Sequence, residues 1–239
     1  MKTVKLGSLY FNGTPVGPGA KFYQGIISIG ETVPRMALTW NVVGSKLVAN
    51  QVVCDNISWN RLCEAGYTNG HPVQIGGKFY LCRSLRVGKQ TGDPNEWDEL
   101  LDQYGEDDDL WHWLGTAFWG QEVRLSKEGK LAPPVRGGPT ARTRYFCPSS
   151  NQTPTCGFRP VLEPLGPSPA LTQSLIGKKL KVYGPDGARA DGILRSFDDY
   201  DMELEYKVQP VEAPCFNIQS GSKLVVNREA IMWFGETHA

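Results

Sequence analysis

The chain has 239 residues, a length that suits two domains or one domain with an appendage. Its 25 basic residues balance 25 acidic ones, so we expect no global field of the kind that holds a protein on nucleic acid or on a membrane. The six cysteines form no CxxC pair and are too sparse for a disulfide scaffold, which predicts a reducing compartment.

The N-terminal part of the chain indicates neither a targeting segment nor a clear structural role. Residues 1–13 contain no apolar run of signal-peptide length, and no stretch approaches the roughly 18 to 20 apolar residues that span a bilayer. We therefore expect a cytoplasmic protein with no membrane partner. Residues 21–44 look rich in strands, but their pattern assigns them no role.

Two segments have helical signals. Residues 58–66 begin with Ser58, which can cap a helix, and end at Gly66, which can terminate it. In residues 93–105, either Asp93 or Asn95 can act as the cap, and the spacing i, i+3, i+4, i+7 is kept by Trp97, Leu100, Leu101 and Tyr104. Turn dipeptides elsewhere in the first 165 residues predict short strands in irregular loops.

Charge is arranged in two consecutive blocks of opposite sign. Between Asp93 and Asp109 there are nine acidic residues and no basic one. From Arg124 to Arg144 the only acid is Glu128, and the bases are Arg124, Lys127, Lys130, Arg136, Arg142 and Arg144. Such blocks are usually solvated faces that cancel each other. The alternative is a basic surface that holds an anion or an acidic partner.

Short motifs in residues 57–165 resemble the C-type-lectin-like fold, in the branch that contains formylglycine-generating enzymes and the variable proteins of diversity-generating retroelements. The motifs are the segment WHWLGTAFWG at 111–120, the triplet Arg136-Gly137-Gly138, a loop with Arg142 and Arg144, and the triplet Gly157-Phe158-Arg159. The resemblance implies a domain over 1–165 with its core at about 57–165, and it makes a phage or prophage source plausible. Arg159 is expected to be structural, reaching a carboxylate or loop carbonyls.

A ligand site is predicted where aromatic faces and guanidinium groups come together, because this combination suits planar or anionic ligands. Its residues are Trp111, Trp113, Trp119, Arg136, Arg142, Arg144 and Tyr145.

The enzymes of the branch bind copper through two cysteines, since soft thiolates select Cu(I). Cys147 and Cys156 depart from that arrangement because they follow the arginines, so copper-dependent thiol oxidation is only an alternative. The three histidines belong to no spaced metal motif. We expect no catalytic residue, metal or cofactor.

The second domain is predicted after a proline-rich linker at 166–174. Residues 175–239 alternate apolar and polar positions, with Leu180, Val182, Ile193, Met202, Leu204 and Tyr206 on the apolar side. The segment resembles the Sm-like barrel of bacterial RNA chaperones of the Hfq type, and it also suits an SH3-like module. The overall class is therefore α+β, a C-type-lectin-like domain with two helices followed by a small antiparallel β-barrel.

The resemblance to Sm-like proteins extends to three candidate docking residues, Asp198, Tyr200 and Arg228. Around them, Asp191, Asp198, Asp199, Asp201, Glu203 and Glu205 would repel phosphates, which disfavours RNA binding. Barrels of this type pair their edge strands around rings, so a homo-oligomer is expected. The leading hypothesis is a non-catalytic phage-type binding protein for a small anionic ligand or a host protein, and one version of it is a counter-defence factor. RNA binding and copper-dependent thiol oxidation are the alternatives.

Overall fold

The computed structural model describes residues 1–185, 187–210, 213–219 and 221–237. The chain divides into two units, Met1–Leu165 and Gly166–Ala239. Strands dominate both units, and the described residues contain three α-helices, all in the first unit, so the class is mixed α+β. Most strand pairs are antiparallel. No helix within the described ranges is both long enough and apolar enough to cross a membrane.

The first unit contains sixteen strands and three helices among its residues, all of which are described. In chain order they are β1 (Thr3–Phe11), β2 (Thr14–Val16), β3 (Ala20–Lys21), β4 (Ile27–Gly30), β5 (Ala37–Val43), β6 (Lys46–Ala49), β7 (Cys54–Asp55), α1 (Trp59–Glu64), β8 (His71–Ile75), β9 (Lys78–Ser84), α2 (Glu96–Tyr104), α3 (Asp108–Trp111), β10 (Ala117–Trp119), β11 (Arg124–Leu125), β12 (Leu131–Ala132), β13 (Pro134–Gly137), β14 (Arg144–Phe146), β15 (Cys156–Phe158) and β16 (Pro160–Pro164).

These strands form two large sheets and a separate hairpin. One sheet has the order β2-β1-β5-β6-β16-β9-β8, with β4 also paired to β1, and the other has the order β14-β13-β10-β15-β7-β3. The hairpin is β11-β12. Residues 1–56, which the sequence left unassigned, therefore supply strands to both sheets. Leu9 and Trp40 share one hydrophobic core with Phe158, so the core is not confined to 57–165.

Both predicted helices are present, and their caps act locally. The Ser58 side chain accepts a hydrogen bond from the backbone N–H of Arg61 at the start of α1. Between the two possible caps of α2, the structure selects Asn95, whose side chain accepts from the N–H of Asp98. Helix α3 was not predicted, because four residues are too short to show a helical period.

The Gly-Phe-Arg strand β15 lies where backbones pass closest. It pairs with β10 on one side and with β7 on the other. A Cβ atom added to Gly157 would lie 2.0 Å from the carbonyl oxygen of Cys54. Only glycine fits this position, because the neighbouring atom is backbone and cannot rotate away.

The second unit is a six-stranded antiparallel sheet that forms a half-barrel. Its strands are β17 (Lys179–Tyr183), β18 (Arg189–Phe197), β19 (Asp201–Tyr206), β20 (Phe216–Gln219), β21 (Lys223–Asn227) and β22 (Trp233–Glu236), in the order β20-β21-β19-β18-β17-β22. The predicted alternation holds for Leu180, Val182, Met202 and Leu204, which are buried. Ile193 is only half-buried, because Ala190 and Leu194 set the inward face of β18.

Residues in the predicted linker at 166–174 make hydrogen bonds within the second unit. The indole N–H of Trp233 donates to the carbonyl of Gly166 at 2.9 Å, and the N–H of Phe234 donates to the Ser168 hydroxyl at 3.1 Å. A 3₁₀ turn at Gln173–Leu175 then buries Leu175 in the barrel core. Proline content predicted an extended segment, and contacts with β22 fix its position.

Candidate functional site

The tryptophans predicted to bind a ligand are mostly core residues. Trp111 and Trp119 are fully buried, and their indole N–H groups donate to the carbonyls of Gly105 at 3.1 Å and Ile57 at 2.8 Å. Trp113 is half-buried and donates to the carbonyl of Glu106 at 2.8 Å. Their ring faces therefore serve packing, and Trp111 and Trp119 cannot contact a ligand from solvent.

Two of the predicted arginines form contacts within the first unit. Arg136 is only 2% exposed and forms an ion pair with Asp98. Arg144 donates to three carbonyls of one loop, at 2.6 Å to Val87, 3.0 Å to Gly88 and 2.8 Å to Gln90. Both guanidinium groups are thus occupied by the protein itself.

The third arginine, Arg142, lies at the surface between two acids. Its guanidinium is 2.6 Å from Asp102 and 2.5 Å from Glu106, both on or just after α2. Burial alone would raise the pKa of Asp98, but hydrogen bonds from Arg136 and Asn95 and the charge of the nearby arginines lower it. The acidic block therefore neutralises this part of the basic block, as the first interpretation of the charge pattern predicted.

Tyr145 and the two nearby cysteines belong to the main core of the first unit. Cys156 is buried in that core, and Tyr145 and Cys147 pack against it. Burial raises the pKa of both thiols, and burial together with the thiols raises the pKa of Tyr145 to about 12. A raised pKa favours the protonated thiol, which is a weaker nucleophile than the thiolate.

Arg159, from the Gly-Phe-Arg triplet, is fully buried and forms no hydrogen bond with a carboxylate of any described residue. It donates to the carbonyls of Trp111 at 2.5 Å and of His112 at 3.0 Å, and its guanidinium lies 5.0 Å from the ring of Trp97. Burial lowers its pKa to about 9. The side chain therefore ties the loop after α3 to β15, which is one of the two structural roles expected from the sequence.

In the barrel, Asp198, Tyr200 and Arg228 come together in one turn. The Asp198 carboxylate accepts from the N–H groups of Tyr200 and Asp201 at 2.8 Å each, and these bonds lower its pKa. The Arg228 side chain donates to the carbonyl of Asp198, and its N–H donates to the carbonyl of Tyr200 at 2.8 Å. The turn holds Tyr200 with 75% of its surface exposed.

The six-stranded sheet of the second unit ends at β20 on one side and at β22 on the other. Strand β21 pairs with β19 on one side and with β20 on the other. Strand β22 pairs with β17, and on its other side the N–H of Phe234 is bonded to Ser168. Strand β21 is therefore an interior strand, whereas β20 and β22 each have one strand neighbour among the described residues.

A surface cleft that the sequence did not indicate lies beside the buried tryptophans. We call it the Leu114 cleft. It has a volume of about 400 Å³ and is lined by Pro18, Gly19, Gln51, Val52, Asp55, Asp108, His112, Leu114 and Thr116. Leu114 is 64% exposed. The segment Trp113-Leu114-Gly115 looks like core sequence, so apolar periodicity gave no signal for an exposed leucine.

Local backbone conformation and hydrogen bonds determine the position of the loop that lines the Leu114 cleft. His112 has a left-handed conformation with φ of 44°, which ends α3. The N–H groups of Trp113 and Leu114 both donate to Asp108 Oδ1 at 2.7 Å. Asp55 has a buried Oδ1 that receives no hydrogen bond from any described residue, and burial raises the pKa of this carboxyl. The cleft therefore combines an exposed apolar side chain with two carboxylates, Asp55 and Asp108.

Comparison with protein-family models, with curated proteins and with solved structures found no match to this chain.

Proposed function

We propose that this chain is a non-catalytic binding protein that recognises another protein through the Leu114 cleft. Its first unit is C-type-lectin-like and its second is a Sm-like or SH3-like barrel that docks through the Tyr200 turn. The observation that carries the proposal is the exposed Leu114 in a cleft that is also lined by the carboxylates of Asp55 and Asp108. An exposed aliphatic contact in an acidic cleft suits an apolar side chain and a basic side chain of a partner.

Motif placement supports the lectin-like assignment. Arg136 and Gly137 lie on β13, Arg144 begins β14, and Gly157 and Phe158 lie on β15, so the three motifs share one sheet. The antiparallel half-barrel with a close approach at Gly192 supports the second assignment. There, an added Cβ atom would lie 2.9 Å from the Glu205 carbonyl oxygen.

The contacts of the three predicted arginines favour protein recognition over capture of a small anion. Arg136, Arg142 and Arg144 each have acceptors within the first unit, and the Leu114 cleft carries two carboxylates, Asp55 and Asp108. An anion would have to displace those acceptors and approach the carboxylates. In a phage setting, the partner would be a host protein that the chain blocks, which is the counter-defence form of the proposal.

The first test is site-specific photo-crosslinking in the producing cells, with a photoreactive phenylalanine at Leu114. Val208, which is also strongly exposed but lies in the second unit, is the matched control position. We expect one partner protein to crosslink at position 114 and not at 208. Binding of that purified partner should weaken about tenfold in Asp55→Asn, as expected for loss of one charged contact.

Two outcomes would count against protein recognition. Crosslinking to the same proteins at both positions would show that Leu114 has no specific partner. A native mass of the purified chain that carries a small bound molecule, with no crosslink at 114, would favour the small-ligand hypothesis instead.

A further inference from the structure

One part of the basic block is not neutralised by the first unit. It is the hairpin formed by β11, β12 and their turn, residues 124–132, which we call the basic hairpin. Arg124 pairs with Ala132 and Leu125 pairs with Leu131, and the two strands form a sheet of their own. Neither strand joins the two large sheets, but Ala132 is buried and the N–H of Ser149 donates to the Leu131 carbonyl at 3.1 Å, so only part of the hairpin is open to solvent.

Hydrogen bonds within the turn make the basic hairpin well ordered. The N–H of Ser126 donates to the carbonyl of Lys130 at 2.7 Å, and the N–H of Gly129 donates to the carbonyl of Ser126 at 3.0 Å. The Ser126 hydroxyl accepts from the N–H groups of Glu128 at 3.3 Å and Lys130 at 3.2 Å. Gly129 has φ of +75°, which glycine adopts without strain. The surface is therefore preorganised for binding.

Two leucines stand opposite each other on this hairpin. Leu125 and Leu131 are a directly paired cross-strand couple, so their side chains point to the same face. They are 64% and 43% exposed. A contiguous exposed apolar contact of this kind is typical of an interaction surface when charged residues surround it.

The charges around the leucines are mainly positive. Lys127 forms no ion pair with any described residue, and Lys130 meets only Glu128 at 3.3 Å, with both side chains strongly exposed. Such an exposed pair is worth little. The Arg124 guanidinium lies 3.3 Å from the centre of the Phe146 ring, which positions its charge at the base of the hairpin. Lys127 and Lys130 in the turn therefore outnumber the single carboxylate of Glu128, and Arg124 adds a third positive charge on the other face of the hairpin.

We propose that the basic hairpin is a docking surface for an acidic segment of a partner protein, with an apolar side chain of that segment packed on Leu125 and Leu131. Charge complementarity sets the sign of the partner, and the paired leucines set its apolar anchor. Nucleic acid fits less well, since Arg124 covers one face of the Phe146 ring and closes that face to base stacking.

A membrane surface also fits less well than an acidic protein. Each basic residue contributes only about 1 kcal/mol near an anionic leaflet, and two leucines add a small apolar area. The basic hairpin shares no residue with the Leu114 cleft. The two proposals can therefore fail independently.

The test uses the full chain and a panel of short fluorescent acidic peptides that differ only in their central residue, which is Leu, Phe or Ser. We expect fluorescence anisotropy to show binding of the Leu and Phe peptides about tenfold tighter than of the Ser peptide. The double variants Leu125→Ser with Leu131→Ser, and Lys127→Ala with Lys130→Ala, should each lose most of this binding. The matched controls in the second unit, Val208→Ser and Lys207→Ala, should keep it.

The variants alter exposed side chains, so their melting temperatures should match that of the unmodified chain. Equal binding of all three peptides, or full binding by both double variants, would overturn the proposal. Tighter binding to single-stranded RNA, or to phosphatidylserine vesicles, that is lost in the same variants would assign the hairpin to that partner and also overturn it.

Discussion

The two units are stabilised in different ways. Every buried polar or charged side chain among the described residues lies in the first unit, including Arg83, Arg136 and Arg159. The core of the second unit is built from apolar residues such as Leu180, Leu194 and Leu224. The arginine pairs described in the barrel, Arg189 with Asp191 and Arg195 with Glu205, remain partly exposed.

The difference follows from where each unit places its backbone carbonyls. In the half-barrel, most carbonyls bond within the strand ladder. The first unit has many short strands joined by long loops, and buried loop carbonyls need other donors. Arg144 supplies them to Val87, Gly88 and Gln90, and Arg159 supplies them to Trp111 and His112. Buried arginines therefore stabilise the first unit, whereas the arginines described in the ion pairs of the second unit remain partly exposed.

The strongest test of this contrast removes a buried arginine. Arg159→Ala should lower the free energy of unfolding of the first unit by about 4 kcal/mol, because it leaves several buried carbonyls without donors and opens a cavity. Arg195→Ala, in an exposed pair, should cost under about 1 kcal/mol in the second unit. Hydrogen exchange read by mass spectrometry on the full chain reports each unit separately. Equal losses of protection in the two variants would contradict the contrast.

A second test compares glycines at close approaches in the two units. Gly157→Ala places its Cβ 2.0 Å from a backbone oxygen, whereas the Cβ of Gly192→Ala lies 2.9 Å from one. We expect about 3 kcal/mol of destabilisation for Gly157→Ala and about 1 kcal/mol for Gly192→Ala. Denaturant unfolding of both variants measures the difference. A smaller effect at Gly157 would show that β15 can move away from β7.

Acid should affect the first unit more than the second. Despite burial, which alone would raise them, hydrogen bonds and charge from Arg83 lower the pKa values of Glu96 and Glu163, and Asp98 is lowered by Arg136. A carboxyl whose pKa is lowered by folding stabilises the protein above its unfolded pKa of roughly 4 and loses this contribution as pH falls through the folded value.

Burial raises the pKa of Asp55, so this carboxyl opposes the loss of stability in acid. It is a single group, whereas the pKa values of Glu96, Asp98 and Glu163 are all lowered. Among the described residues of the second unit, the carboxyl whose pKa is lowered is that of Asp198, which is fully exposed. We therefore expect hydrogen-exchange protection of the first unit to fall between about pH 4 and pH 2 before that of the second. Simultaneous loss, or earlier loss in the second unit, would contradict this expectation.

Local features could be predicted from the sequence. Ser58 and Asn95 cap helices because the cap and its partner N–H are only three residues apart. The buried face of α2 could be predicted from its apolar positions, because a helix repeats every 3.6 residues. For the same reason, the buried alternation in β17 and β19 was visible in the sequence.

Nonlocal features were decided only by the tertiary structure. The arginines from 136 to 144 were expected at a ligand surface, but their acceptors lie more than 35 residues away in sequence, on α2 and in the loop before it. Leu114 and Leu125 resemble core residues by type and become exposed because loops and a free hairpin hold them outside the sheets. The sequence by itself determined the caps and the buried helix face, whereas long-range pairing determined which charges were neutralised and which surfaces remained free.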